Sequence, residues 1–135
     1  MSGKISQVIG PVLDIHFPDG NLPELNNAVE INGPDGVITA EVLQHIGNDT
    51  VRCVSLSPTE GLVRGVEAVD TGGPVTVPVG EEVLGRVFNV LGKVIDKKEE
   101  VNGKERWAIH RSPPSFAEQR AVTEVLETGI KVIDL

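Results

Sequence analysis

Apolar residues in the first eighty positions come in short alternating runs, each cut off by a turn-forming string, and that rhythm restricts the chain to a few architectures. Leu13, Ile15 and Phe17 alternate with Val12, Asp14 and His16, the period of two that sends one set inward and the other outward. Ile5, Val8 and Ile9 precede Gly10-Pro11, and Pro18-Asp19-Gly20 ends the strand that follows. Ala28-Val29-Glu30-Ile31 runs into the turn string Asn32-Gly33-Pro34-Asp35-Gly36, after which Ile38, Ala40, Val42 and Ile46 fall on one face. That pattern predicts a hairpin. Asn48-Asp49-Thr50 turns the chain into a strand over 51–56, and shorter strands are expected at 66–69 and 75–79. These spacings suit a mainly β fold, a closed barrel of six or seven strands.

Closure has a physical motive. An open sheet of this length leaves unpaired edge groups, and only a closed barrel removes both edges. The core must come from branched aliphatics, because the chain has three Phe, no Tyr and one Trp. Eighty residues support such a core only marginally.

Beyond Glu81 the short-strand rhythm stops. Gly85, Gly92 and Gly103 interrupt aliphatic pairs, and Asp96-Lys97-Lys98-Glu99-Glu100 forms a charged surface loop. The charge density changes at the same place: residues 1–80 hold three Lys or Arg against ten Asp or Glu, whereas residues 81–135 hold nine against ten. Two units are therefore expected, 1–80 as a barrel and 81–135 as an incomplete segment that needs a partner core. Arg111-Ser112-Pro113-Pro114-Ser115 is not helical, since each Pro restricts the residue before it and removes a donor. Residues 115–128 admit a helix capped by Ser115 and Glu118, with Val122, Val125 and Leu126 at helical spacing, or an extended passage.

Composition excludes several function classes. A net charge of −8 repels phosphate backbones and anionic headgroups, so nucleic acid and membrane surfaces are disfavoured as partners. A single-stranded nucleic-acid barrel would also need basic grooves and exposed aromatics, and residues 1–80 offer only Phe17. No apolar stretch approaches the ~18 residues of a membrane span, and Met1-Ser2-Gly3-Lys4 leads straight into a strand pattern. The expected compartment is the cytoplasm or an organelle stroma. Cys53 is alone, which rules out an internal disulfide, and its mid-strand position suits a small buried thiol.

The candidate chemical motifs each have a plainer explanation. A phosphate-binding loop needs several Gly, a Lys and a metal-binding hydroxyl; Leu91-Gly92-Lys93-Val94 has Val87 where the first Gly belongs and Val94 where the hydroxyl belongs. Glu81-Glu82 and Glu99-Glu100 sit in polar turns with neighbours pointing to opposite faces, so they read as solvated surface rather than acid and base. His16, His45 and His110 lack metal-ligand spacing. Asn48-Asp49-Thr50 matches a glycosylation acceptor but is more simply a turn. No catalytic, cofactor-binding or metal-ligating residue is assigned.

Three ordered phrases carry a family resemblance. They are Thr59-Glu60-Gly61-Leu62-Val63-Arg64-Gly65, then Val77-Pro78-Val79-Gly80 with Leu84-Gly85-Arg86-Val87-Phe88-Asn89-Val90-Leu91-Gly92, then Glu105-Arg106-Trp107-Ala108-Ile109-His110-Arg111. Together they resemble the beta subunit of F-type ATP synthase, and supporting matches run from Gly3-Lys4-Ile5 to Gly129-Ile130-Lys131-Val132-Ile133-Asp134-Leu135. Val94 and Ala108 stand where the family usually has Pro, and residues 53–58 are atypical. Related vacuolar and flagellar-export ATPases match these phrases more weakly. Within the first phrase, Gly61 and Gly65 allow tight reversals, and Glu60 and Arg64 are expected to pair across the turn.

The resemblance implies a six-stranded amino-terminal crown barrel, followed by the start of an α/β nucleotide-binding domain with a short helix near Gly129. It implies that the full-length protein makes ATP from ADP and phosphate by rotary catalysis driven by a proton gradient. Alpha subunits in an alternating hexamer and a central gamma stalk would be its partners, and ATP or ADP with magnesium its ligands. The complex would lie on the cytoplasmic side of a bacterial inner membrane or the stromal side of a plastid thylakoid. The family's phosphate loop, general base and adenine-stacking aromatics fall beyond the position of Leu135. The 135-residue chain is therefore expected to be inactive alone and to bind no nucleotide tightly. The rival expectation is a free-standing barrel that works as an interaction module.

Overall fold

In the computed structural model, residues 1–18, 20–101, 105–119 and 125–135 are described. Six antiparallel strands close into a barrel: β1 (Ser2–Ile9), β2 (Val12–His16), β3 (Asn27–Gly33), β4 (Gly36–Gly47), β5 (Thr50–Ser55) and β6 (Glu67–Pro74). Their order around the wall is β1-β2-β5-β4-β3-β6, with β6 pairing back onto β1. No barrel strand is left with an open edge, which is the closure the short-strand rhythm called for.

Turn chemistry sets the registers. Asn48 and Asp49 both adopt positive φ, 50° and 52°, and join β4 to β5 with Gly47 opposite Thr50. Two positive φ values in a two-residue loop match the twist of the flanking strands. Pro34 and Asp35 make the corresponding loop between β3 and β4, where Gly33 faces Gly36. Inside, Leu13, Ile15, Phe17, Val29, Ile31 and Val42 are buried among other aliphatics and one ring.

Two apolar residues depart from the alternation. Ile46 is 39 % exposed rather than inside, because β4 carries irregularities between Val42 and Gln44 and between His45 and Gly47. Ile9 is 52 % exposed, downstream of a similar shift between Ile5 and Gln7 in β1. One extra residue on one strand moves every later side chain to the other face.

The strand expected at 75–79 exists as β7 (Thr76–Val79), but it leaves the barrel. It pairs with β8 (Glu105–Ala108) in a separate two-stranded sheet. Between them, Glu81–Val83 forms a single 3-10 turn and Phe88 bridges Val94. Among the described residues of 115–128, the admitted helix is realised only as one 3-10 turn, Phe116–Glu118. Ser115 does cap it, donating from both its N–H and its hydroxyl to Glu118 Oε2 at 2.9 and 2.8 Å. The backbone is extended again at Gln119, with φ −77° and ψ 133°. Val122 lies outside the described residues, and Val125 and Leu126 are exposed and non-helical. Near Gly129 one helical turn, α1 (Lys131–Asp134), forms, and Asp134 accepts hydrogen bonds from Thr128 and Gly129.

Candidate interaction surface

The phrase at 59–65 links β5 to β6 and is built into the barrel rather than hung from it. Thr59 Oγ1 donates to the Gly10 carbonyl at 2.8 Å, tying the loop to the β1–β2 turn. Leu62 N–H returns to the Thr59 carbonyl at 3.1 Å, and the Leu62 side chain joins the core. Gly65 N–H donates to the Ile5 carbonyl, and Ile5 N–H to the Val66 carbonyl, so the loop ends as a short continuation of pairing with β1. Gly61 and Gly65 have φ of 79° and 86°, the reversals expected of them. A Cβ on Gly61 would stand 2.9 Å from Pro34 Cγ. The expected Glu60–Arg64 pair is not among the ion pairs of the described residues. Glu60 instead borders a cleft of about 230 Å³ whose other walls include Pro34, Val37, Ser57 and Pro58.

A second groove, of about 390 Å³, separates the outer wall of the barrel from β7 and β8. Glu30, Thr39 and Thr71 line it from the barrel, and Thr76, Lys93 and Arg106 from the other side. Arg106 is tied down within the hairpin, donating to Thr76 Oγ1 at 3.1 Å and to the Thr76 carbonyl at 2.7 Å.

The chemical candidates from the sequence are dispersed. His16 Nδ1 lies 3.2 Å from the Asn48 carbonyl, His45 Nε2 2.8 Å from the Pro23 carbonyl, and His110 Nε2 3.0 Å from Glu41 Oε2. Among the described residues, no group of three or more His, Cys, Asp or Glu converges on a point that could hold a metal. Glu81 and Glu82 are exposed on a 3-10 turn, and Glu99 and Glu100 are exposed further along. At Leu91-Gly92-Lys93-Val94 the backbone N–H groups of Leu91 and Lys93 donate to Asn89 Oδ1 at 3.0 and 2.9 Å. Those donors are committed to a turn rather than turned toward a phosphate. Asn48-Asp49-Thr50 is the β4–β5 turn.

Cys53 is fully buried on β5, and burial, reinforced by the nearby Asp14 charge, pushes its thiol up to about 12. A thiol of that kind is inert.

Besides the His110–Glu41 contact, two ion pairs escaped the sequence analysis. Asp14 faces Arg52 directly across β2 and β5, and the guanidinium closes a two-pronged contact with both carboxylate oxygens at 2.8 and 2.9 Å. Arg86 grips Asp96 in the same way at 2.7 and 3.1 Å and adds a bond to the Glu99 carbonyl at 2.6 Å. The Arg86 contact, aided by backbone N–H groups of Lys98 and Val87, holds the Asp96 carboxyl well below the usual range. The charged loop expected here is therefore anchored at its acidic end. Buried Asn27 and Asp70 share a hydrogen bond of 3.1 Å between β3 and β6. For Asp14–Arg52 and Asn27–Asp70 the signal lies in the register and becomes visible only once strand partners are known, whereas Arg86 and Asp96 meet within one irregular segment.

This set of groups holds no nucleophile beside a base and no convergent metal ligands among the described residues. It is an acidic, closed barrel with clefts at its margins. A family model, ATP synthase alpha/beta family, beta-barrel domain, matches residues 5–72, half of the chain. That span covers β2 to β5 entirely and most of β1 and β6. The chain belongs to the ATP synthase alpha/beta family, through the barrel domain that its first six strands build.

Proposed function

We propose that the chain is the amino-terminal part of a beta-type, catalytic subunit of a proton-translocating ATP synthase, its barrel packing beside alpha-type barrels in an alternating crown. Family membership implies assembly with related subunits into an ATPase complex. The choice of beta over alpha is carried by the phrase at 59–65, whose resemblance is to beta subunits. The integration of that phrase into the barrel supports a role in fixing the shape of the crown.

In this proposal the full-length protein binds magnesium and ATP or ADP at its interfaces with alpha subunits and responds to rotation of a gamma stalk. The complex sits on the cytoplasmic face of a bacterial inner membrane or the stromal face of a thylakoid. Residues 81–135 form the entry segment of the nucleotide-binding domain. The chain itself supplies ring assembly and no chemistry.

The test begins with the coding DNA immediately downstream of Leu135. Continuation into a Gly-rich loop ending in Lys-Thr supports the proposal. A stop codon replaces it with a free-standing interaction barrel. Calorimetric titration of the 135-residue chain with MgATP supplies the second check, and saturable micromolar binding would contradict the proposed division of labour.

A further inference from the structure

Two loops meet at one end of the barrel. The β3–β4 turn brings Pro34 and Asp35, the β5–β6 connection brings Ser57, Pro58 and Glu60, and the cleft of about 230 Å³ lies between them. Its walls are held without any occupant. Leu56 N–H donates to the Thr39 carbonyl at 2.8 Å, which carries the start of the connection along β4. Ser55 Oγ donates to the Ser57 carbonyl at 2.6 Å, and Leu62 N–H closes the loop onto the Thr59 carbonyl at 3.1 Å. Gly61 abuts Pro34 and ties one loop to the other. The chemistry of the lining is one-sided. Pro34, Val37, Ile38 and Pro58 supply apolar surface, and Asp35 and Glu60 supply two carboxylates. Among the described residues, no Lys, Arg or His lines the cleft, and neither carboxylate belongs to an ion pair. Residues 1–80 hold only three bases, Lys4, Arg52 and Arg64, and Arg52 is committed to Asp14.

We propose, resting on the reading of this barrel as one that packs beside related subunits, that the cleft receives an arginine side chain from a neighbouring protein. The aliphatic stem lies against the prolines and Val37, and the guanidinium lies between Asp35 and Glu60. Long cationic side chains bury their stems on apolar surface and keep the charged head at a polar rim. A planar guanidinium presents donors to two carboxylates at once, whereas an ammonium is a single point charge. Pockets for drug-sized molecules run to roughly 300–1,000 Å³, so the volume suits a side chain rather than a cofactor. Because the walls are already tied together, little ordering is left for the binding step to supply. A second copy of this chain is the poorer occupant, since ten acids against three bases in residues 1–80 make like barrels repel.

The probe is Nα-acetyl-L-arginine methylamide, titrated at low salt into the isotope-labelled 135-residue chain while amide shifts are followed. The uncharged isostere Nα-acetyl-L-citrulline methylamide is the control. The expected result is saturable, millimolar binding with shifts confined to Asp35, Gly36, Val37, Ser57 and Glu60, and no saturation with citrulline. Asp35→Asn and Glu60→Gln should each weaken binding by about two- to five-fold, the range for an exposed ion pair. The double variant should fall to the citrulline level. Both carboxylates are exposed on loops, and far-UV circular dichroism checks that the barrel persists. Equal binding of citrulline, shifts centred elsewhere, or wild-type affinity in the double variant would overturn the proposal. So would a concentration-dependent dimer of the wild-type chain in sedimentation velocity that Glu60→Gln abolishes, because the occupant would then be a second copy. A cleft that ignores the arginine probe leaves the crown reading standing, which the coding DNA beyond Leu135 decides separately.

Discussion

Replacing Gly61 by Ala separates the two reasons for a glycine at the centre of the 59–65 loop. The first is backbone conformation: φ is +79°, and an L-residue in the left-handed region costs roughly 1–2 kcal/mol. The second is space: the new methyl would sit 2.9 Å from Pro34 Cγ, an atom of a stiff ring in the β3–β4 turn. Crowding of that kind typically costs a further ~1–3 kcal/mol. Against both stands a gain of about 0.4–1 kcal/mol, because Ala restricts the unfolded chain. The net expectation is a loss of about 1–4.6 kcal/mol. Gly65→Ala is the internal control, since Gly65 has φ +86° with nothing within 4 Å of the added Cβ. It should lose only the conformational part, about 0–1.6 kcal/mol net. Urea unfolding followed by far-UV circular dichroism reads both variants at equal slope. Adding Pro34→Ala to Gly61→Ala should recover the crowding part and leave the conformational part. If Gly61→Ala matches Gly65→Ala, Pro34 is not the constraint; if both equal wild type, the loop is not held in the conformation described.

Cys53 should resist a thiol reagent at pH 8 in the folded chain and react at once in urea, because it is buried and its thiol is raised to about 12. The sign for stability follows: from pH 9.0 to about 12 the unfolded thiol ionises while the folded one does not, so the Cys53 contribution is lost across that window, and Cys53→Ala should flatten that part of the stability curve. For the loop between Arg86 and Glu99 the direction is opposite. Asp96 is depressed, chiefly by its hydrogen bonds with Arg86, so the loop's stability is present above the ordinary carboxylate range and lost as pH falls below it. Asp96→Asn should accelerate amide exchange at Val87 and Lys98 at neutral pH while leaving the barrel strands unchanged.

What the sequence made legible was whatever depends on local alternation and turn chemistry. Leu13, Ile15 and Phe17 are inside, and Pro34-Asp35 and Asn48-Asp49 are the turns, because each of these is decided by a few adjacent residues. Ile46 and Ile9 ended outside because bulges upstream of them changed the phase, and nothing in an aliphatic run marks where an extra residue will be accommodated. Thr76–Val79 reads like a further barrel strand since period two states only that a strand forms. Which strand it pairs with is set by a distant partner, Glu105–Ala108.

The same limit explains the surface. Asp14 and Arg52 are 38 positions apart, and Glu41 and His110 are 69 apart. Each pair is invisible until the barrel order brings β2 beside β5 and carries β8 past the outer wall of β4. The phrase at 59–65 differs because its contacts are mostly fixed by what it must do to the backbone: reverse twice, bury Leu62, and rejoin β1 at Ile5. Closure of the barrel thus constrains this segment without any chemistry being asked of it. The family match over residues 5–72 rests on the barrel that this loop helps to close.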